Sequence, residues 1–391
     1  VQFGVQPTDR VGVIGIGRVQ RGAVKANQQI CVLDVDGHQR NARVLQVLGF
    51  HGLDRVEVPS AQAGDIIAIT GVENLQISDT LCDRSAPEAL PALTVDEPTI
   101  SMTFRVNNSP FAGREGKYLT SRQLRERLMR EASHNVALRV EDTDNPERFK
   151  VSGRGELHLS ILIETMRREG FELMVSRPRV LTREIDGRTQ EPVEHVFLDV
   201  PEPFVGVINE KLGIRKGRMV NLVNHGSGRV QLEFKIPSRG LIGFRAEFLT
   251  DTKGTGILNT YFEGYDSYRG DFPSRFTGSI VSDRQGQAVA YALFNLEPRG
   301  QLFIAPGDPV YEGMVFGEHN RANDINANPC KEKKLSNMRA SGRDENVILS
   351  PVKPMTLERA IHFIREDEMV EVTPRSIRLR KAVLSAQGRY R

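Results

Sequence analysis

Excess charge of either sign, long apolar runs and cysteine are all in short supply in this chain. Its 53 Lys and Arg against 50 Asp and Glu leave a formal net charge of +3, too little for indiscriminate attraction to polyanions. No apolar run approaches the roughly 20 residues that a membrane-crossing helix needs, and no charged-then-apolar leader reads as a secretion signal. A cytoplasmic protein with no membrane partner is expected. Cys31, Cys82 and Cys330 are far apart and odd in number, which suits neither a disulfide framework nor a closely spaced zinc site. They read as small hydrophobes in a reducing compartment.

Signatures of catalysis are equally scarce. Nothing matches G-x-x-x-x-G-K-[ST], the loop whose amides cradle phosphates; Gly116-Lys117 lacks the leading glycine and is followed by Tyr118. Asp34-Val35-Asp36-Gly37 reads as a hairpin turn, and Gly15-Ile16-Gly17 as a tight turn, because no helix follows it. The eight histidines stand singly and form no metal pattern, and no Ser or Cys occupies a nucleophile elbow. His158, beside an apolar helix face, reads as structural. No catalytic residue and no metal site is expected.

What is present is folded material, 39% hydrophobic and 26% charged over 391 residues, enough for two to four domains. The chain begins without Met inside what reads as a β-region, "VQFGVQPTDRVGVIG", which predicts a fragment that has lost an N-terminal domain. Residues 1–92 alternate short β-branched runs with Gly, Asn and Asp turns, the pattern of a small β-barrel, and Pro87–Pro91 reads as a linker. Residues 93–187 change period. A strand at 99–106 precedes a helix at 121–132, two strands at 136–140 and 149–152, and a second helix. In that helix Leu159, Leu162, Ile163 and Met166 fall at i, i+3, i+4 and i+7; Gly170 closes it and 172–175 returns as a strand. The order β-α-β-β-α-β is ferredoxin-like, and 188–275 repeats it, with helices at 204–212, ended by Gly213, and near 241–249. Residues 276–391 read as mostly β, with strands at 288–296 and 302–304 and one strong helix at 355–364. The fold class expected is multidomain, mainly β plus α+β.

Positive charge is unevenly placed. Between Arg321 and Arg343 six cations face two acids, a local +4, and Arg375–Arg391 holds six cations and no acid. Both segments read as candidate docking surfaces for phosphate.

Three stretches carry a family resemblance. Gly15-Ile16-Gly17-Arg18-Val19-Gln20-Arg21-Gly22 is similar to the G-R-V-x-x-G turn in the second domain of translational GTPases. Ser152-Gly153-Arg154-Gly155-Glu156-Leu157-His158-Leu159 resembles the third domain of elongation-factor-G-like proteins. Pro237-Ser238-Arg239-Gly240-Leu241-Ile242-Gly243-Phe244-Arg245, with Lys334-Leu335-Ser336-Asn337-Met338-Arg339-Ala340-Ser341, resembles the BipA/TypA family of ribosome-associated GTPases. The likeness runs through essentially the whole chain. It implies a domain-II-like barrel over 1–92, elongation-factor-G-like third and fifth domains over 93–187 and 188–275, and a family-specific C-terminal domain over 276–391 with a basic loop at 328–346.

Further implications concern function. The resemblance implies binding to the ribosome, with contacts to ribosomal RNA and the acceptor end of A-site tRNA, and roles in translation, large-subunit assembly and stress adaptation. The family's N-terminal GTPase domain has no counterpart in this sequence, so GTP, magnesium and hydrolysis belong to that missing domain. No cofactor is expected here, and the chain is expected as a monomer whose partners are the ribosome and the missing domain. By motif, the RNA-binding residues are Lys331, Lys333, Lys334, Ser336, Asn337, Arg339, Ser341 and Arg343, with Arg154, Arg239 and Arg321 as further candidates. The loop has no aromatic residue for base stacking, so backbone and shape reading is expected. Two alternatives stay open: an RNA chaperone acting off the ribosome, and a small-molecule-regulated enzyme on ferredoxin-like domains.

Overall fold

Two units divide the chain, one of residues 1–96 with 127–139, the other of 97–126 with 140–391. The structure is a computed structural model that describes all residues except 1, 9–11, 35, 53, 74, 92–97, 136, 225, 272–274, 334–347, 353 and 390–391.

In the first unit an eight-stranded antiparallel sheet runs in the order Gln39–Arg43, Gln29–Leu33, Thr80–Cys82, Gln2–Thr8, Gly12–Arg18, Ile66–Thr70, Gln46–His51 and Asp54–Glu57. Val32, Val44, Val47, Ile67, Ile69 and Leu81 meet in one core. Gln29–Leu33 and Ile66–Thr70 each bury four consecutive residues, so these strands are covered on both faces and do not alternate. Gly15-Ile16-Gly17 forms no turn: it lies within Gly12–Arg18, where Gly15 pairs with Val5 and Gly17 with Phe3. The turn comes later, at Gly22, whose φ is +70°. Glycine punctuates strands as well as turns, and sequence alone did not separate the two here.

Ile100–Val106, Arg139–Asp142, Arg148–Gly153 and Leu173–Val175 are the first to fourth strands of a group whose spatial order is fourth, first, third, second. Helices Ser121–His134 and Glu156–Glu169 connect them. The first helix opens on a reciprocal cap. Thr120 Oγ1 accepts from Gln123 N at 3.3 Å while Gln123 Oε1 accepts from Thr120 N at 3.1 Å. The second buries Leu159, Leu162, Ile163 and Met166 and stops at Gly170, whose φ of 99° is left-handed.

Residues 188–267 repeat that order on a separate sheet. Ile257–Ser267, Arg188–Pro201, Arg229–Pro237 and Arg218–Asn224 lie side by side, packed on helices Val205–Ile214, Ser238–Leu241 and Phe244–Asp251 through Val196, Leu198, Leu232, Phe234, Phe244 and Phe248. Two details depart from the sequence reading. Gly213 lies inside the first helix, which runs on to Ile214. The helix near 241–249 is broken at Ile242-Gly243, because Gly243 takes φ +81°.

The C-terminal residues add their strands to the first group's sheet. Leu173–Val175 pairs antiparallel with Glu368–Val372, and the ladder continues through Ile377–Lys381, Met314–His319, Ser279–Ser282 and Ile325–Ala327. One eleven-stranded sheet results. The stretch read as a strand at 288–296 is a helix, Ala290–Leu296, with Ala292, Leu293 and Leu296 turned into the core. Seven residues are too few for a 3.6-residue period to stand out from a strand's apolar run. The helix expected at 355–364 spans Leu357–Phe363, and Thr356 caps it by accepting from Arg359 N at 3.3 Å.

Candidate nucleic-acid interface

The basic loop leaves and re-enters the C-terminal core at the two ends of one short helix. On the outgoing side, Val289 N donates to Pro329 O at 2.9 Å, just before helix Ala290–Leu296, and Cys330 packs against the core around Tyr311 and Phe316. On the return side, Ser350 N donates to Glu297 Oε1 at 2.7 Å, just after that helix, and Leu349 joins the same core. Lys331, Glu332 and Lys333 are exposed on the outgoing side, and Ile348 is 83% exposed on the return side. Lys334, Ser336, Asn337, Arg339, Ser341 and Arg343 lie outside the described residues.

More cations stand near the return side. Asn320 N donates to Arg299 O at 2.9 Å and its side chain to Pro298 O at 3.2 Å, so the turns carrying Arg299 and Arg321 are joined next to Glu297. Both arginines are exposed. A phosphate backbone contacting such a surface would meet cations supported by rigid backbone at their base.

The other basic segment has a different fate. Lys381 is 1% exposed and meets Asp367 at 2.7 Å and Glu368 at 2.9 Å, with Asp324 also against it. Burial works against its ammonium, but the Glu368 charge and hydrogen bonds to Asp324 and Asp367 outweigh that and raise its pKa. Arg378 joins Glu115 at 2.8 Å and buried Glu371 at 3.4 Å. Arg380 is buried against Asn108 Oδ1 at 3.0 Å and the Lys381 carbonyl at 3.1 Å, and burial lowers its pKa. Of the described cations here only Arg375 is fully exposed. The expectation of a second phosphate surface is corrected for Arg378, Arg380 and Lys381: Arg378 and Lys381 neutralise acids inside the fold, and Arg380 is buried with neutral partners.

Similarity to known proteins agrees with this architecture. Residues 12–82 match the family described as elongation factor Tu domain 2, 188–276 elongation factor G C-terminus, and 277–386 the TypA/BipA C-terminal domain. The large ribosomal subunit assembly factor BipA of Escherichia coli (strain K12) is 58% identical over 382 residues, 97% of this chain and 63% of that protein. Its namesakes in Haemophilus influenzae and Buchnera aphidicola are 56% and 52% identical, each over 97% of this chain and over 62% and 63% of their own lengths. This chain belongs to the BipA/TypA family. It spans just under two thirds of the length of these BipA relatives.

Within this family member the two other arginine candidates differ. Arg154, at the junction before helix Glu156–Glu169, is exposed, and its backbone is fixed by Thr99 Oγ1 donating to its carbonyl at 2.7 Å. Arg239 is engaged: its guanidinium meets the buried Glu191 carboxylate and the Gly270 carbonyl and lies 4.3 Å over the Tyr268 ring. That geometry makes Arg239 a clamp between strand and helix.

Two features went unread in the sequence. On the sheet face away from the helices, His195 stacks on Phe197 at 4.7 Å and on Tyr261 at 5.2 Å. Open aromatic faces can stack on bases, but Glu233 and Glu263 sit 3.5 and 3.8 Å from the His195 nitrogens, and acids there disfavour a polyanion. Period-two positions 195 and 197 were the available signal. The other feature is an exposed turn where Asp34, Asp36 and His38 place one potential ligand atom each within 4.8 Å. Asp34 there already accepts from His38 N at 2.8 Å, which accounts for the grouping as a turn.

Proposed function

We propose that this chain is the ribosome- and RNA-binding portion of a BipA-type translation factor, acting with a separate GTPase domain in large-subunit assembly, translation and stress adaptation in the cytoplasm. In this reading it hydrolyses nothing itself and needs no cofactor; GTP and magnesium act on the GTPase domain. The observation that carries it is the 58% identity across 97% of the chain to proteins named for large-subunit assembly. The two β-α-β-β-α-β groups are read as elongation-factor-G-like, ferredoxin-like modules that set position, and the basic stretch beginning at Lys331 as the gripping element.

Electrostatics supports that division of labour. Each Lys or Arg that neutralises a phosphate releases condensed counterions, so Lys331, Lys333, Lys334, Arg339 and Arg343 together should contribute about −3.5 to −4.5 to the log–log salt slope. Ser336, Asn337 and Ser341 add short donors that suit close backbone contact. The acceptor end of tRNA is a fitting target because such a loop reads phosphate and shape with little base preference. Arg154 and Arg321 extend the same surface in this proposal; Arg239 contributes through the fold.

The test is cosedimentation with ribosomes at fixed moderate salt. Alanine at the five loop cations should weaken binding by at least about tenfold while thermal unfolding stays unchanged. Unaltered binding would remove the loop from the interface. Tighter binding to free tRNA than to ribosomes would favour an RNA chaperone.

A further inference from the structure

Inside the second unit, helices Glu156–Glu169, Phe244–Asp251 and Leu357–Phe363 border a cavity of about 550 Å³, within the usual size of small-molecule sites. Ile100, Leu157, Leu241, Phe244 and Leu258 supply apolar wall. The site is walled by segments remote in sequence, so packing of long-range elements creates it.

One of its inner hydroxyls is unsatisfied. Ser160 and Ser238 line the cavity and are 4% and 1% exposed; the Ser160 hydroxyl has no hydrogen-bond partner among the described residues, and Ser238 lies against Glu194. A buried hydroxyl without a partner is costly and calls for an explanation. Glu194 lines the same wall; burial raises its pKa, against side-chain hydrogen bonds with Ser238 and Thr260 that lower it. The Ser160 hydroxyl is thus a buried donor without an acceptor among the described residues at the inner wall. At the mouth, Arg154 and Arg245 are exposed lining residues. The acid Glu156 is already matched by His362, and its other oxygen accepts from Gly243 N at 3.2 Å. Glu358 remains as an exposed acid at the rim, so the two arginines leave the mouth net positive.

We propose that this cavity binds a small amphiphilic organic anion, with its carbonyl or hydroxyl oxygen facing Ser160 and Ser238, its apolar body along Leu157 and Phe244, and its acid group at Arg154 and Arg245. Such a ligand would join the three helices that form the walls. The site shares Arg154 with the nucleic-acid reading but does not rest on that reading.

Titration with 8-anilinonaphthalene-1-sulfonate, an apolar ring system bearing an anion, tests it by fluorescence on the whole chain. Saturable binding at one site per chain is expected. Ala246→Trp, which fills the cavity from an exposed lining position, should weaken it by at least about tenfold. The double variant Arg154→Ala and Arg245→Ala touches no core residue and should weaken it by about threefold or more. Displacement by decanoate would mark an acyl ligand and displacement by 2-naphthoate a ring-bearing one. Binding that does not saturate, or that stays within about twofold of wild type in both variants, overturns the proposal.

Discussion

Residues 321–333 and 375–389 look alike as sequence, each rich in Lys and Arg, yet they lead opposite lives. In the first, Arg321, Lys331 and Lys333 are exposed. In the second, Arg378 and Lys381 are internal counterions for Glu115, Glu371, Asp324, Asp367 and Glu368, and Arg380 is buried against neutral oxygens. Local charge density cannot separate a docking surface from an internal ion-pair network, because the deciding acids come from elsewhere in the chain. Glu115 lies more than two hundred positions from its partner Arg378 (|i−j| of 263). The difference is one of burial: a paired charge inside holds the fold, and an exposed one is left to hold a ligand.

The sharpest way to break this contrast is Lys381→Met. Removing one buried cation takes away the charge shared by Asp324, Asp367 and Glu368, leaving Arg365 beside Asp324 and Arg275 beside Glu368, and a loss of roughly 3–5 kcal/mol in unfolding free energy is expected by denaturant titration. A change under about 1 kcal/mol would mean that the segment is not a structural network.

Next in size is Glu115. Burial alone would raise its carboxyl, but hydrogen bonds from Thr373, Arg378 and Ser376 hold its pKa down at about 2. The folded value lies below the unfolded one near 4.3, so the stabilisation is fully present above about pH 4.3 and is lost as pH falls toward 2. Glu115→Gln should lower neutral stability by on the order of 2 kcal/mol and flatten the acid limb between about pH 4 and 2. An acid limb identical to wild type would contradict this assignment.

The smallest stability effect belongs to the exposed pair. Lys331→Ala with Lys333→Ala should change unfolding free energy by no more than about 0.5 kcal/mol, while still weakening ribosome binding. Equal stability losses from this pair and from Lys381→Met would erase the distinction.

Much of the architecture was legible because it depends on local period. The buried face Leu159, Leu162, Ile163 and Met166 and the left-handed stop at Gly170 both follow from spacing and residue type. The order of elements in the two repeated groups was readable for the same reason. What stayed hidden depends on distance. Pairing of Leu173–Val175 with Glu368–Val372 merges two regions into one sheet, and no local pattern announces it. Ala290–Leu296 was misread as a strand, being too short to show a helical period. Lys331 and Lys333 were legible as exposed cations, whereas the engagement of Arg239 by Glu191 was not, since these residues meet only through the pairing of strand Arg188–Pro201 with strand Arg229–Pro237. The cavity beside Ser160 was invisible for a like reason, its walls being drawn from well-separated stretches of the chain.

The central claim is that exposed cations of the loop grip nucleic-acid phosphate while the second basic segment serves the fold. Ribosome affinity measured across a salt series, for wild type and for the variant with alanine at Lys331, Lys333, Lys334, Arg339 and Arg343, tests it most directly. The account predicts that the variant's log–log slope is shallower by about 3.5 to 4.5; an identical slope in both proteins would contradict it.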